Sequence, residues 1–276
     1  MPSVLGTRGR RDPRKGIYLL PNLLTSANLF AGFFAIVGAF NGEYVQAATA
    51  ILIAMVFDFL DGRVARLARA ESRFGIEYDS LADLVSFGLA PGILMYAWAL
   101  DAYGRLGWAA SFLFVVCGAL RLARFNVQVG RVESTHFVGL PIPGAAAVLA
   151  TSVILDMHFL GLGREIRPVL MLGMTYALAF LMVSNIRYRS FKSYAMGERR
   201  PFRILVWAIL ILVLAAIQPQ IVVFGLVLLY AVSGPVEHFF GGMIRRLLRK
   251  SASADAPQHA ADDEDDVADQ EVIVRK

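Results

Sequence analysis

An all-α bundle of about eight membrane-crossing helices is the fold class this sequence predicts, and three observations predict it. The 276 residues are 57% hydrophobic with a mean hydropathy of +0.57, above the roughly 45–50% apolar content of soluble domains. The apolar residues fall into eight runs, near 19–40, 45–61, 83–100, 106–123, 140–160, 168–186, 203–218 and 220–240. Each approaches the ~20 residues needed to cross a ~30 Å hydrocarbon core. The basic residues then alternate: 24 of the 27 Lys and Arg fall in segments that eight spans place on one side, and only Arg105, Arg164 and Arg167 on the other. By the positive-inside rule the first side is cytoplasmic and holds both termini.

In chain order, residues 1–16 are polar and carry Arg8, Arg10, Arg11, Arg14 and Lys15, a basic segment expected to lie against anionic head groups. The first run is long and lacks a small-residue cleavage site after it, so no cleaved signal is expected. A transmembrane domain is expected over 17–250. Residues 251–276 contain DDEDD and no aromatics, the composition of a disordered acidic tail. The net charge of +5 is read as membrane anchoring, with no nucleic-acid partner. Cys117, the single cysteine, lies in an apolar run; no disulfide framework is possible, and it reads as a small packing residue. His136, His158 and His259 are lone histidines in a loop, at an outer span end and in the tail, and none is assigned chemistry.

One stretch departs from this pattern. Asp58, Asp61, Asp79 and Asp83 flank the second and third runs, in the arrangement D-x2-D-G-x2-A-R-x8-G-x3-D-x3-D. Residues three or four apart share a helix face, so each pair can aim at one target. Four carboxylates make a set of hard oxygen ligands that suits Mg²⁺ or Mn²⁺ rather than Zn²⁺. Gly62 lets a bulky group approach the backbone, Ala65 keeps that face shallow, and Arg66 offers a planar fork for phosphate oxygens. Residues 68–75 interrupt the apolar pattern, so a turn is expected there. Two divalent ions about 3.5–4 Å apart would clamp a phosphoryl group, and a remaining carboxylate would take a proton from an attacking hydroxyl. Intramembrane acids also serve cation transporters, but those need acids near mid-membrane and broken helices. Here the acids gather at one face beside Arg66, Arg69 and Arg73, which favours phosphate chemistry.

This spacing resembles, position for position, the signature of the CDP-alcohol phosphatidyltransferase family. The resemblance implies that an alcohol attacks the β-phosphate of a CDP-linked lipid and releases CMP. It implies metal ligation by Asp58, Asp61, Asp79 and Asp83, with Asp83 also the general base. It further implies contacts to the CDP-lipid from Gly62, Arg66, Ser72 and Gly75, and from Asn22 and Thr25 of the PNLLT stretch. A six-helix core with two added C-terminal spans, a homodimer and two Mg²⁺ or Mn²⁺ ions are implied as well.

Three further segments, Leu120–Gln128 (LRLARFNVQ), Phe137–Ala146 (FVGLPIPGAA) and Tyr188–Lys192 (YRSFK), resemble the bacterial and archaeal phosphatidylserine synthases of this family. They imply CDP-diacylglycerol and L-serine as substrates, in a bacterial cytoplasmic membrane. A serine carboxylate needs a cationic partner, for which Arg121, Arg124, Arg187, Arg189 and Lys192 are candidates, with Asn126 as a polar contact. The same arginines would serve the phosphate of glycerol 3-phosphate or inositol phosphate, so charge alone leaves the acceptor open.

Overall fold

The computed structural model describes residues 19–68, 72–128, 136–162, 166–189 and 201–254. The first turn of α1 (Leu19–Phe40) takes Pro21, which costs nothing where no intrahelical N–H partner exists. A three-residue turn then reverses the chain. Gly42 adopts φ +79°, a left-handed conformation that glycine reaches without steric cost, and Glu43 N–H donates to Gly38 O at 2.8 Å. α2 (Tyr44–Ala68) runs back along α1. Their shared face is built of Ala31, Ala35, Ala39, Ala47, Ala48 and Ala54, all buried. Small side chains let two backbones approach closely, the packing that membrane helices rely on when lipid removes the hydrophobic drive.

The third span begins ten residues before the predicted position. Ser72, in an extended conformation (φ −128°, ψ 151°), caps α3 (Arg73–Asp83) by accepting the Gly75 N–H on its hydroxyl oxygen at 3.0 Å. Such a cap is worth about 1 kcal/mol. The helix continues through a π-helical stretch (Leu84–Leu89), α4 (Ala90–Met95), a second π stretch (Tyr96–Leu100) and a 3₁₀ turn (Asp101–Tyr103). Apolarity marked only the membrane part of this helix, so the polar first three turns went unread. Asp79 and Asp83 lie on this helix, as their four-residue spacing predicted.

α5 (Arg105–Gln128) packs on α7 (Ile166–Val183), and α6 (Ile142–Leu155) on α2. α6 starts near the beginning of the run predicted at 140–160, with Pro141 as its cap and Pro143 in its first turn. Two three-residue strands, β1 (His136–Val138) and β2 (Arg187–Arg189), pair antiparallel with Phe137 opposite Tyr188; no alternation in the sequence announced them. α8 (Pro201–Ile217) and α9 (Pro219–Ala254) complete the described chain. α9 carries four residues of the expected tail; the rest of that tail and the basic N-terminal segment lie outside the described residues. By contacts, residues 1–234 form one unit and residues 235–276 another.

Seven described helices are long and apolar enough to cross a membrane. The seventh predicted run, 203–218, corresponds to α8, whose 17 residues lie at the short end of the spanning range. Outward faces carry Leu23, Phe30, Phe33, Phe40, Leu212 and Leu229, all more than half exposed, which suits a lipid environment. The fold is the expected all-α polytopic bundle.

Candidate active site

The last turns of α2 and the first turns of α3 lie against the N-terminal half of α1. Asp58 and Asp61 share one face of α2; Asp79 and Asp83 share one face of α3. One carboxylate oxygen from each of Asp58, Asp61 and Asp79 lies within 4.8 Å of the other two. Asp83 stands beside them, with its side chain in hydrogen-bonding reach of Asp58. Asp61 is 4% exposed and Asp83 9%.

Acids so buried need compensation, because desolvating a carboxylate without a partner is costly. Among the described residues no Lys or Arg forms an ion pair with any of the four. Asp79 Oδ1 is buried without a hydrogen-bond partner. Converging hard oxygens, an orphaned carboxylate oxygen and the lack of a protein counter-ion fit a divalent cation.

α1 supplies a polar strip along this cluster. Thr25 Oγ1 donates to Asp61 Oδ2 at 2.9 Å, with the Pro21 carbonyl an alternative acceptor at 3.1 Å. Asn28 Nδ2 donates to Asp83 Oδ1 at 3.1 Å. Ser26 Oγ donates to the Asn22 carbonyl at 2.8 Å, which leaves Tyr78 O–H to donate back to Ser26 at 2.9 Å. Next to that pair opens an apolar groove lined by Leu29, Phe30, Phe33 and Val85.

The residues expected to meet a CDP-lipid are partly gathered. A Cβ added to Gly75 would lie 3.7 Å from Asn22 Oδ1 and 3.2 Å from Ser72 Oγ, so α1 and the start of α3 meet there. One added to Gly62 would meet only the Arg66 guanidinium, at 3.7 and 3.9 Å. Arg66 itself is exposed, leaving an open shelf beneath a cationic fork.

The acceptor candidates separate. Arg121 is half-buried, stands within electrostatic reach of Asp83 and Tyr230, and has a buried Nε without a hydrogen-bond partner. Arg124 instead ties α5 to the end of α7, donating to Asn185 Oδ1 at 2.9 Å and the Val183 carbonyl at 3.5 Å. Asn126 Nδ2 donates to Ser80 Oγ at 3.0 Å, one residue from Asp79. Arg187 and Arg189 lie in β2 with side chains outside the described residues, and Lys192 lies outside them altogether.

Sequence reasoning passed over Asn28, Ser26, Tyr78 and Tyr230. For Asn28 a signal existed: Asn22, Thr25 and Asn28 recur every three residues in an otherwise apolar helix, the period of a single face. Tyr230 is separated from Arg121 by more than a hundred residues, and no local pattern links them.

Fold and site together define a polytopic membrane protein whose helix ends gather carboxylates suited to a divalent cation. Comparison with known proteins sharpens this class. Residues 18–183 match the CDP-alcohol phosphatidyltransferase family. The chain belongs to that family.

Similar proteins include the CDP-diacylglycerol--serine O-phosphatidyltransferase of Helicobacter pylori strain J99, 39% identical over 244 residues that cover 88% of this chain and 100% of the relative. The protein of the same description from Bacillus subtilis strain 168 is 36% identical over 64% of this chain and 93% of its own length. The archaetidylserine synthase of Methanothermobacter thermautotrophicus is 37% identical over 61% of this chain and 69% of its own.

Proposed function

We propose that this chain transfers the phosphatidyl group of CDP-diacylglycerol to the hydroxyl of L-serine, giving phosphatidylserine and CMP. The single observation that carries the chemistry is the cluster of four aspartates, Asp61 and Asp83 buried and Asp58 and Asp79 half-buried, with no ion pair from any described residue. Relatives described as CDP-diacylglycerol--serine O-phosphatidyltransferases, matched over 100% and 93% of their own lengths, support the acceptor.

In this reading Asp58, Asp61, Asp79 and Asp83 would hold Mg²⁺ or Mn²⁺, two ions in all. Bound there, the metal supplies charge neutralisation and Lewis acidity at the diphosphate oxygens. The chain's own groups do the rest. Gly62 admits the diphosphate to the backbone, and Arg66 pairs with its oxygens. Asn22, Thr25, Ser72 and Gly75 line the nucleotide end, and the groove beside Ser26 and Tyr78 lets an acyl chain stay in the bilayer. Asp83 takes the proton from the serine hydroxyl as its oxygen bonds to the β-phosphorus. The bond from that phosphorus to the CMP oxygen breaks, and CMP leaves with the electron pair.

Arg121 is the partner proposed for the serine carboxylate. A half-buried guanidinium whose buried Nε has no hydrogen-bond partner among the described residues, within electrostatic reach of the base, supports it over Arg124, which donates to Asn185 and Val183 within the fold. Asn126 would contribute through the Ser80 side, and Arg187, Arg189 and Lys192 a wider basic rim. The balance of basic residues supports a cytoplasmic site and cytoplasmic termini, in a bacterial cytoplasmic membrane, and the assembly proposed is a homodimer.

The test is CMP release by purified protein in detergent with CDP-diacylglycerol, Mg²⁺ or Mn²⁺, and one acceptor at a time. Turnover with L-serine alone is the expected result. Turnover with glycerol 3-phosphate or inositol phosphate instead would keep the aspartate chemistry and replace the acceptor. No CMP from folded protein with any of the three would overturn the proposal.

A further inference from the structure

Asp83 lies where three constraints meet. Two neighbouring carboxylates, Asp58 and Asp79, bear on it electrostatically, and it ends α3 where the helix passes into the π stretch from Leu84. A carboxylate among like charges turns away from them unless something holds it, and a base is useful only when one oxygen faces the proton it must take.

Among the described residues, one amide donor reaches it. Asn28 is 0% exposed, and its Nδ2 lies 3.1 Å from Asp83 Oδ1. Its other end is informative: Asn28 Oδ1 is buried with no partner. A flipped amide would set oxygen against carboxylate oxygen, two acceptors face to face. The orientation that leaves Oδ1 unsatisfied is therefore imposed by Asp83.

The backbone around Asn28 is clamped as well. Ser86 Oγ, from the π stretch that follows Asp83, donates to the Asn28 carbonyl at 2.9 Å. One turn on, Gly32 meets the same serine so closely that a Cβ there would lie 2.3 Å from Ser86 Oγ and 2.7 Å from Ser86 Cα. Helix α1 and the segment bearing Asp83 are thus joined at the side chain and at the main chain, with no room to slide.

We infer that Asn28 is a positioning residue for Asp83: its side-chain N–H holds Asp83 Oδ1 and thereby presents Oδ2 to the acceptor hydroxyl. The inference rests on the proposed role of Asp83 as base. Asn28 is not itself among the proposed ligands, and the three oxygens that converge belong to Asp58, Asp61 and Asp79.

The test uses the full chain in detergent and the near-isosteric variant Asn28→Leu. Expected are a fall in kcat of about 100-fold, the cost of a misplaced reacting group, and KM values for CDP-diacylglycerol and acceptor close to those of the unaltered protein. Mn²⁺ binding, followed by electron paramagnetic resonance without substrate, should persist through Asp58, Asp61 and Asp79. Full kcat in folded Asn28→Leu, or a loss confined to KM, would overturn the inference. If Asn28→Leu does not fold, Asn28→Ser must show the same division between kcat and KM, and its absence would overturn the inference equally. Asp83→Asn, assayed in parallel, separates the two levels. Turnover in Asp83→Asn removes the proposed base itself, whereas an inactive Asp83→Asn beside a fully active Asn28→Leu removes only the positioning role.

Discussion

Buried acids occur near both ends of the long helix that runs from Arg73 to Tyr103, and the protein treats them in opposite ways. At one end Asp58, Asp61, Asp79 and Asp83 crowd together, with no ion pair from any described residue and with Asp79 Oδ1 unpartnered. The other end is marked by Trp98, fifteen residues on from Asp83, or roughly 22 Å at 1.5 Å per residue. There Asp156 is 1% exposed and has a cation beside it. Arg167 Nε lies 2.9 Å from its Oδ2, Leu162 N–H donates to its Oδ1 at 2.6 Å, and the same guanidinium lies 5.1 Å from the centre of the Trp98 ring. The Arg167–Asp156 approach is short yet poorly aligned for a hydrogen bond, so the attraction is mainly Coulombic. A neutralised acid ties the α6–α7 connection to the preceding span. An uncompensated cluster leaves its charge for a ligand.

This contrast can be broken at either end. The largest effect expected is from Asp83→Asn, which should cut CMP release by about 10³-fold, within the range of a lost general base. Binding of CDP-diacylglycerol by calorimetry should persist. Asp58→Asn should lower turnover and Mn²⁺ affinity together, by at least the roughly 100-fold seen when even an outer partner of a metal site is lost; an unchanged Mn²⁺ titration would exclude Asp58 as a ligand.

At the paired end the effect should fall on stability. Asp156→Ala leaves Arg167 without its partner, and breaking a buried pair costs about 3–5 kcal/mol. With Arg167 24% exposed, the lower end of that range applies. Thermal unfolding in detergent should register the loss, and kcat of the folded fraction should stay the same. The double change Asp156→Leu with Arg167→Met should recover much of that stability, because apolar replacement of a buried pair is often neutral. The smallest effect expected is from Gly32→Ala, whose methyl would overlap the side chain and main chain of Ser86, so that Ser86 or α1 must shift. Such overpacking costs about 1–3 kcal/mol, and thermal unfolding with the CMP assay would show lowered stability and reduced kcat.

How much of this was legible depended on whether the signal was local. Asp58, Asp61, Asp79 and Asp83 could be read because helical spacing alone puts each pair on one face. Helices appeared where apolar runs are long, as in α1, α2, α5 and α7, but the start of α3 did not. Its first three turns are polar, and only the Ser72 cap marks them. The β1–β2 pair rests on three residues in each of two distant loops, too short for any alternation. The basic residues at the ends of α5 and α7 looked equivalent in sequence. Burial and partners separate them: Arg121 is half-buried within electrostatic reach of Asp83, whereas Arg124 donates to Val183 and Asn185. That distinction exists only once α5 has packed on α7.

The hydrogen bonds from α1 also set an order of assembly. Among the described residues, the side-chain donors onto the four aspartates, Thr25 and Asn28, both come from α1. Chains are synthesised and fold from the N-terminus onward. A nascent protein that has delivered its first three spans to the bilayer therefore owns every aspartate of the cluster and both donors that orient them. Arg121 and Asn126 still await translation. During biogenesis the half of the site proposed for metal and nucleotide is complete first, and the half proposed for the alcohol closes over it later.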